Sequence, residues 1–473
     1  GPGRWGFDQW LKVAAADSMV ANPHVATAFV NNGQTTYYTV NRGGYQVPHL
    51  FQYNVASGSG AARPMADLLT NMAVIRGYTT RADGHSTNHA RQTQPLPGGV
   101  SLGGLVADTF VRNISAVGVA SGGTETGIGF RSGQGKAQTK LQNLSSLARE
   151  LMAPFDSTNY SLNSGFATRK QLHADALNQA ASALLGHAQA KDQTAKVLKA
   201  NFDGAVALIK KGVGDLDAYW SAAVSRYRTA IFNSTRPQIL YPNGIPGITV
   251  DLNQTGSLVT SDGSGRFAIS CTDSTTRTVA SGQSLAQLVQ ACNITWLAEY
   301  FALAEYVLVN ELSSSIELPI GFLDGLGSGF GASGDQHGTG AGAALVIDAM
   351  FYRGLSAALL ELITVLKAKG IFDHTMIHLT GDFSRSPRNG TTIHGSDHGF
   401  DACVTSLFSG VIKAPIMVGN ILLNSTYTDY PGTWGQAATV QTLGVAAEPG
   451  HVAATIAHIM GVSKHAWTST PPL

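Results

Sequence analysis

The last third of the chain alternates between apolar strand-like runs and a long apolar helix, and this alternation constrains the fold more than any other feature. Apolar runs at 316–322, 374–382 and 414–420 are typical of buried strands. Residues 342–369 predict a long helix that ends at Gly370. Strand–helix–strand order of this kind predicts an α/β fold, a doubly wound and mainly parallel sheet flanked by helices.

The middle of the chain differs in composition from this alternating part. Residues 137–232 are rich in Ala, Leu, Lys and Gln, with apolar positions three and four apart, and they predict a long helical insertion. Residues 233–282 have turn and β composition and predict a small β-rich insertion. We therefore expect residues 1–136 and 283–473 to form the α/β core. The histidines of the helical insertion are not expected to bind metal.

The charge balance excludes several classes of partner. Only 13% of the 473 residues are charged and the net charge is +1, so we expect no nucleic-acid partner. No apolar stretch is long enough to span a bilayer, so no transmembrane segment is expected. The chain is rich in Gly, Ser, Thr and Asn, which suits an exported protein at a cell surface, in a periplasm or outside the cell. Cys271 and Cys292 are expected to form a disulfide, which leaves Cys403 outside it.

Three groups of aspartate and histidine follow different predicted strands. Asp335 and His337 follow the first, Asp382 ends the next, and Asp397 and His398 lie in "GSDHGF" beyond it. Ligands of open parallel sheets sit beyond the carboxyl ends of the strands, so we expect the three groups to converge. Carboxylates and imidazoles are ligands of divalent ions. We expect one or two bound ions, which could be Zn²⁺, Mn²⁺, Mg²⁺ or Ca²⁺. The alternative is ordinary hydrogen bonding within polar loops.

Hydroxyl and guanidinium groups complete the candidate site. Ser86 and Thr87 follow the apolar run "MAVIR", and a hydroxyl held near a metal ion can attack phosphorus or sulfur. The alternative is a helix N-cap, where Ser and Thr are favoured in any case. Arg385 and Arg388 could hold an oxyanion, or they could cover the sheet edge or pair with Asp382.

The order and spacing of "SGDQHG", the long helix, "GDFSRSPRNG" and "GSDHGF" over about residues 330–420 resemble the alkaline-phosphatase-like superfamily. That superfamily includes sulfatases and metal-dependent phosphoglycerate mutases. The chain most resembles an exported bacterial branch with a W-D-x-H-like segment, a strand ending in (E/D)-F-G-R-T-P, and a G-x-D-H-(G/W) motif. The resemblance implies two divalent ions and a Ser, Thr or modified Cys nucleophile.

Carried over by position, the resemblance implies that Asp335 and His337 hold one ion, with His398 or Asp397 completing its ligands. Asp382 resembles a ligand of the other ion. Phe383 stands where relatives often have histidine, so the second site would lack an imidazole. The C-x-P-x-R signature of sulfatases is missing, and the superfamily's usual first strand is not found before the opening loop.

These observations predict two alternative functions. The first is an exported metal-dependent hydrolase of phosphate or sulfate esters, with an anionic ester substrate, Ser86 or Thr87 as the nucleophile and Arg385 holding the anion. The second is a non-catalytic surface or assembly protein that retains the fold, with a neighbouring subunit filling the place of the missing strand as a homo-oligomer. Low charge, high Gly, Ser, Thr and Asn content and the missing first strand favour the second, but the hydrolase is the function that we expect.

Overall fold

The fold is described from a computed structural model. The structure describes residues 53–82, 84–93, 99–119, 129–141, 216–235, 294–320, 341–381, 403–423 and 435–462. It also describes short pieces within 30–51, 172–183, 259–269 and 384–399, together with residue 473. It has mixed α/β architecture with several helices and several sheets, one of them parallel throughout.

The described strands are mostly short. In chain order they are β1 Val30–Asn31, β2 Gln34–Thr35, β3 Thr39–Arg42, β4 Tyr45–Pro48, β5 Asn54–Val55, β6 Arg63–Pro64, β7 Met72–Tyr78, β8 Ala116–Val119, β9 Gln138–Leu141, β10 Val259–Ser261, β11 Phe267–Ile269, β12 Ile316–Glu317, β13 Ile377–Thr380, β14 Ser384–Pro387, β15 Ser396–Gly399, β16 Cys403–Phe408, β17 Ile416–Val418, β18 Ile421–Leu423, β19 Gly435–Ala437, β20 Thr439–Val440 and β21 Val445–Ala446.

The described α-helices are α1 His85–Thr93, α2 Leu102–Thr109, α3 Leu216–Ser234, α4 Leu297–Val309, α5 Ala341–Ala368 and α6 Pro449–Ile459. Two 3₁₀ helices, Met65–Asn71 and Phe372–His374, precede strands β7 and β13. None of the helices in the described ranges is long and apolar enough to cross a membrane.

The central sheet has four strands in the order β13-β16-β7-β17. Strand β16 runs antiparallel to both of its neighbours, and β17 runs parallel to β7. Strands β13, β7 and β17 therefore share one direction, and their carboxyl ends lie at the same edge. The two-stranded sheets among the described residues are antiparallel, including β14–β15.

A second sheet has three parallel strands in the order β12-β8-β9. The predicted strand at 316–322 belongs here. Among its described residues, 316–320, Ile316–Glu317 forms a strand, and this strand does not join the central sheet as expected. Its register pairs it with β8 in parallel, Ile316 opposite Val117 and Glu317 opposite Gly118. Strand β9 lies inside the segment predicted as a helical insertion. The domain division as a whole stays a prediction.

Helices cover both faces of the central sheet. On one face, Val74, Leu379 and Phe408 share a buried cluster with residues of α3, α4 and α5, such as Leu359 and Ala302. On the opposite face, the cluster consists of Ala73, Ile75 and Leu407 with Val452 and Ile456 of α6, among others. The sheet is consequently buried on both sides, which explains why β7 contains no exposed residue.

The long helix is confirmed as Ala341–Ala368, and it ends as predicted at a glycine. Gly370 has φ +70, and the Ile371 N–H donates to Leu366 O at 3.0 Å, the closing pattern of a Schellman motif. Strand β13 is confirmed within 374–382 and β17 within 414–420, in the same sheet. Strands β16 and β7 lie between them, and β16 was not predicted.

Candidate functional site

The shared edge of the central sheet is the best-described candidate site. Tyr78 ends β7, Thr380 ends β13, and Asn420 follows β17 by two residues. The bridge between Tyr78 and Ala447 brings the start of α6 to the same edge. Polar side chains from four segments therefore meet where an open sheet usually binds ligands.

A bulge at Gly77 determines which way Tyr78 faces. Cys403 pairs with Tyr78 and Val404 pairs with Arg76, so Gly77 is the extra residue between them. Gly77 has φ +84, and a Cβ there would lie 1.9 Å from the Asn420 carbonyl oxygen, so only glycine fits. The extra residue reverses the alternation, and Tyr78 joins the α6 face instead of the α5 face.

Tyr78 is the centre of a buried hydrogen-bond chain. The Gln92 Nε2 group on α1 donates to the Tyr78 hydroxyl at 2.7 Å. That hydroxyl lies 3.1 Å from Thr380 Oγ1, which donates to Gly381 O at 3.1 Å. Tyr78 is fully buried and Gln92 nearly so. These hydrogen bonds thus connect α1 to the end of β13.

Guanidinium groups also gather at this edge. Arg76, in the centre of β7, is fully buried and donates to Asn420 Oδ1 at 2.7 Å. Arg91 of α1 donates to the carbonyl oxygen of Thr80. Arg81 pairs with Glu448 at 2.9 Å on the surface. An arginine within the apolar run "MAVIR" is the signal in the sequence that could have indicated this edge.

Helix α1 begins seven residues after the end of β7 and carries the predicted hydroxyls. Ser86 and Thr87 lie in its first turn, and Thr87 is exposed. Asn88 is fully buried, and its amide group donates to Ala82 O and Gly84 O, both at 2.8 Å. Asn88 therefore holds the preceding loop against the helix, and the position of the predicted hydroxyls depends on it.

The start of α6 is held against the end of β7. The Thr79 N–H donates to Ala447 O at 2.9 Å. Glu448 and His451 form a reciprocal capping box, in which the Glu448 N–H donates to His451 Nδ1 at 3.0 Å. Burial lowers the pKa of His451, against the opposing effect of Glu448. His451 therefore favours the neutral form that this acceptor role requires.

Hairpin β14–β15 follows β13 directly and contains three predicted residues. Its register pairs Arg385 with His398 and Ser386 with Asp397. The fold thus brings together two segments that the sequence analysis treated as separate motifs. Asp335, His337 and Asp382 lie outside the described residues, as do Arg388, Cys271 and Cys292. Their convergence and the disulfide stay predictions, whereas Cys403 is buried and forms no disulfide.

Two ionisable groups near the sheets were not predicted. His378 donates its Nε2–H to Thr405 Oγ1 at 2.8 Å, because the Thr405 hydroxyl itself donates to Leu379 O. Burial lowers the pKa of His378 to about 4. On the three-stranded sheet, Gln138 Nε2 donates to Glu317 Oε2 at 2.8 Å, and burial raises the pKa of Glu317. Neither forms a metal site, since the described part of the chain has no group of three or more His, Cys, Asp or Glu side chains placed to hold an ion.

Comparison with known proteins gives one partial match. Residues 333–470, less than a third of the chain, are similar to a family described as "Protein of unknown function (DUF1501)". No curated protein and no solved structure matches the chain.

The predicted resemblance to the alkaline-phosphatase-like superfamily is therefore wrong. The stretch that carries most of its motifs matches a family of unknown function, and nothing in the comparisons indicates a phosphatase or a sulfatase. Short motifs of Asp, His and Gly recur in unrelated polar loops, so their order alone carried too little information.

Proposed function

We propose that the chain is a metal-dependent hydrolase of phosphate or sulfate esters. The proposal no longer rests on a family resemblance. It rests on one observation, that the β14–β15 register pairs Arg385 with His398 directly after strand β13. An anion-binding group and a metal-binding group are thereby at one register position, beside the edge where β7 leads into α1.

In the proposed site, Asp335, His337 and Asp382 hold a divalent ion together with either Asp397 or His398. Successive positions of a strand point to opposite faces, so one of these last two is proposed as a ligand and not both. The mixture of carboxylates and imidazoles suits Zn²⁺ or Mn²⁺ better than Mg²⁺ or Ca²⁺. When bound, the ion would polarise the ester oxygen.

The remaining roles belong to the protein's own groups. Ser86 or Thr87 supplies the nucleophilic hydroxyl from the first turn of α1, and Arg385 holds the anionic oxygens of the ester. The buried Arg76 adds positive potential at the same edge, which favours an anionic substrate. We further propose that the fold is doubly wound with two insertions, and that the protein is exported.

Metal analysis combined with activity measurements tests the proposal. Purified protein should retain a stoichiometric divalent metal after dialysis and should hydrolyse aryl phosphates or aryl sulfates. Asp382→Asn should lower both metal content and hydrolysis, and after chelation the variant and the wild type should melt at the same temperature. Asp373→Asn is the matched control, because Asp373 is exposed and pairs with exposed Lys413 at 3.3 Å.

A second function would be supported by the opposite result. If neither metal nor hydrolysis is found with any of the four ions, the hydrolase proposal fails. The non-catalytic surface or assembly protein then becomes the better proposal, and light scattering would show whether the chain forms a homo-oligomer.

A further inference from the structure

The hydrogen bonds around Tyr78 form one continuous chain. The Thr380 hydroxyl donates to Gly381 O, and the geometry of the Tyr78–Thr380 contact fits the Tyr78 hydroxyl as its donor. Tyr78 in turn accepts from the Gln92 amide. Each hydroxyl both donates and accepts, which strengthens neighbouring bonds in a buried environment. The hydrogen-bond chain therefore restrains the orientation of the Gln92 amide, the Tyr78 phenol and the Gly381 carbonyl together.

The two ends of this chain reach the two segments required for the proposed hydrolysis. Gln92 lies in the last turn of α1, whose first turn contains Ser86 and Thr87. Gly381 directly precedes Asp382 in the sequence and leads towards hairpin β14–β15. Without the bulge at Gly77, Tyr78 would face α5 and could not bridge these two segments.

Stability alone does not explain why the Tyr78 hydrogen-bond chain consists of polar side chains. Replacing buried hydrogen-bonding partners with apolar groups of the same shape is often neutral. The polar solution moreover leaves the Gln92 Oε1 atom buried without a hydrogen-bond partner. Turning Tyr78 also requires glycine at position 77, where φ is +84 and a Cβ would lie 1.9 Å from Asn420 O. The unpaired amide oxygen and the requirement for glycine are consistent with selection for orientation.

We propose that Tyr78, Gln92 and Thr380 are positioning residues that hold α1 in register with the carboxyl end of β13 for the reaction. This role rests on the proposed function, because it has no meaning without a reaction at this edge. None of the three touches the reacting atoms in the proposal. They act by fixing the segments that carry the nucleophile and the metal ligands.

Substitutions at Thr380 separate orientation from packing. Thr380→Val keeps the volume and removes the hydroxyl, whereas Thr380→Ser keeps the hydroxyl and loses a methyl group. Under the positioning role, Thr380→Val should lower kcat about 10- to 100-fold with little change in KM, because small misplacements of reacting groups are costly. Thr380→Ser should restore most of the activity. If only packing mattered, the order of the two variants would be reversed.

Tyr78→Phe provides the second test, since it removes one oxygen and retains the ring. It should lower kcat by a similar factor. Tyr306→Phe is the matched control, because it removes a hydroxyl from α4, in a different cluster of the core. If the wild type is active and both Tyr78→Phe and Thr380→Val keep full kcat, the positioning role is overturned and the proposed function stands. A wild type without turnover overturns the proposed function and the positioning role with it.

Discussion

The helical layer and the carboxyl edge of the central sheet both bury polar groups, but they compensate them differently. In the helical layer, buried charges meet opposite charges. Glu305 accepts from Tyr219 and Tyr227, both at 2.6 Å, and from Arg226. Glu361 accepts from Ser57 and Arg63, both at 2.6 Å. At the sheet edge, the Tyr78 chain consists of neutral groups, and the buried Arg76 donates to the neutral amide of Asn420.

The two regions also differ in which buried polar atoms lack a hydrogen-bond partner. Glu305 and Glu361 are almost completely buried, and each of their carboxylate oxygens accepts a hydrogen bond. At the edge, Thr80 Oγ1, Asn88 Oδ1 and Gln92 Oε1 are buried without a hydrogen-bond partner, and in the helical layer Arg63 Nε, Arg226 Nε and Ser356 Oγ are buried without one. An unsatisfied buried polar atom costs about 1–3 kcal/mol. Both regions therefore carry this cost, and they differ in how most buried polar groups are compensated, by ion pairs in the helical layer and by neutral hydrogen bonds at the edge.

The largest expected effect comes from breaking the charge network. Glu361→Gln removes the charge that holds Arg63 and the loop Ser57–Ser59 and leaves Arg63 and Arg226 poorly compensated. We expect the free energy of unfolding to fall by about 3–5 kcal/mol, as when one partner of a buried pair is removed. Urea unfolding measures it.

The control is Glu311→Gln, because Glu311 is exposed and lies 4.0 Å from exposed Arg112. This surface substitution should change the stability by at most about 1 kcal/mol. Equal losses for the two variants would show that burial does not distinguish the two pairs.

Gly77→Ala tests how much stability the sheet edge loses when a Cβ is placed at position 77. The positive φ alone costs about 1–2 kcal/mol for a residue with a Cβ, and the collision with Asn420 O adds to it. We expect a loss above about 2 kcal/mol. Gly370→Ala is the control, since its φ is +70 but nothing lies within 4 Å of a Cβ there. If both variants lose the same stability, the close approach at Gly77 has no energetic role.

The lowered pKa of His378 predicts that the free energy of unfolding falls in acid. Its pKa is lowered from 6.5 to about 4 in the folded state, so the stabilisation is present above pH 6.5 and is lost as pH falls towards 4. The loss between pH 7 and pH 5 should be about 2 kcal/mol. His378→Gln should flatten the stability curve in that range. A slope that persists in the variant would assign it to another group.

Glu317 predicts a smaller effect of opposite sign. Burial raises its pKa, so the stability contributed by its protonated form is present below pH 4.5 and is lost as pH rises through the folded-state pKa. Glu317→Gln should therefore gain a little stability near pH 7 relative to the wild type, and it can keep a hydrogen bond to Gln138. Parallel pH–stability curves for the two proteins would contradict this.

Local patterns in the sequence were sufficient for the elements with strong periodicity. The apolar runs predicted β7, β13 and β17, and the long periodic stretch with Gly370 predicted α5 within one residue at each end. Strand β16 was not predicted, because "CVTSLF" alternates only weakly between apolar and hydroxyl residues. Neighbouring strands bury its hydroxyl groups, and no pattern within the segment predicts that burial.

The sequence by itself determined the α/β character of the chain, the end of α5 and the polar composition of the segments after β7 and β13. Only the tertiary structure decided that 316–317 joins a separate sheet, that β16 separates β7 from β13, and that Tyr78 faces Gln92 and Thr380. Periodicity depends on neighbours a few residues away. Strand order and the turn of one side chain at Gly77 depend on contacts hundreds of residues apart, such as that with Asn420.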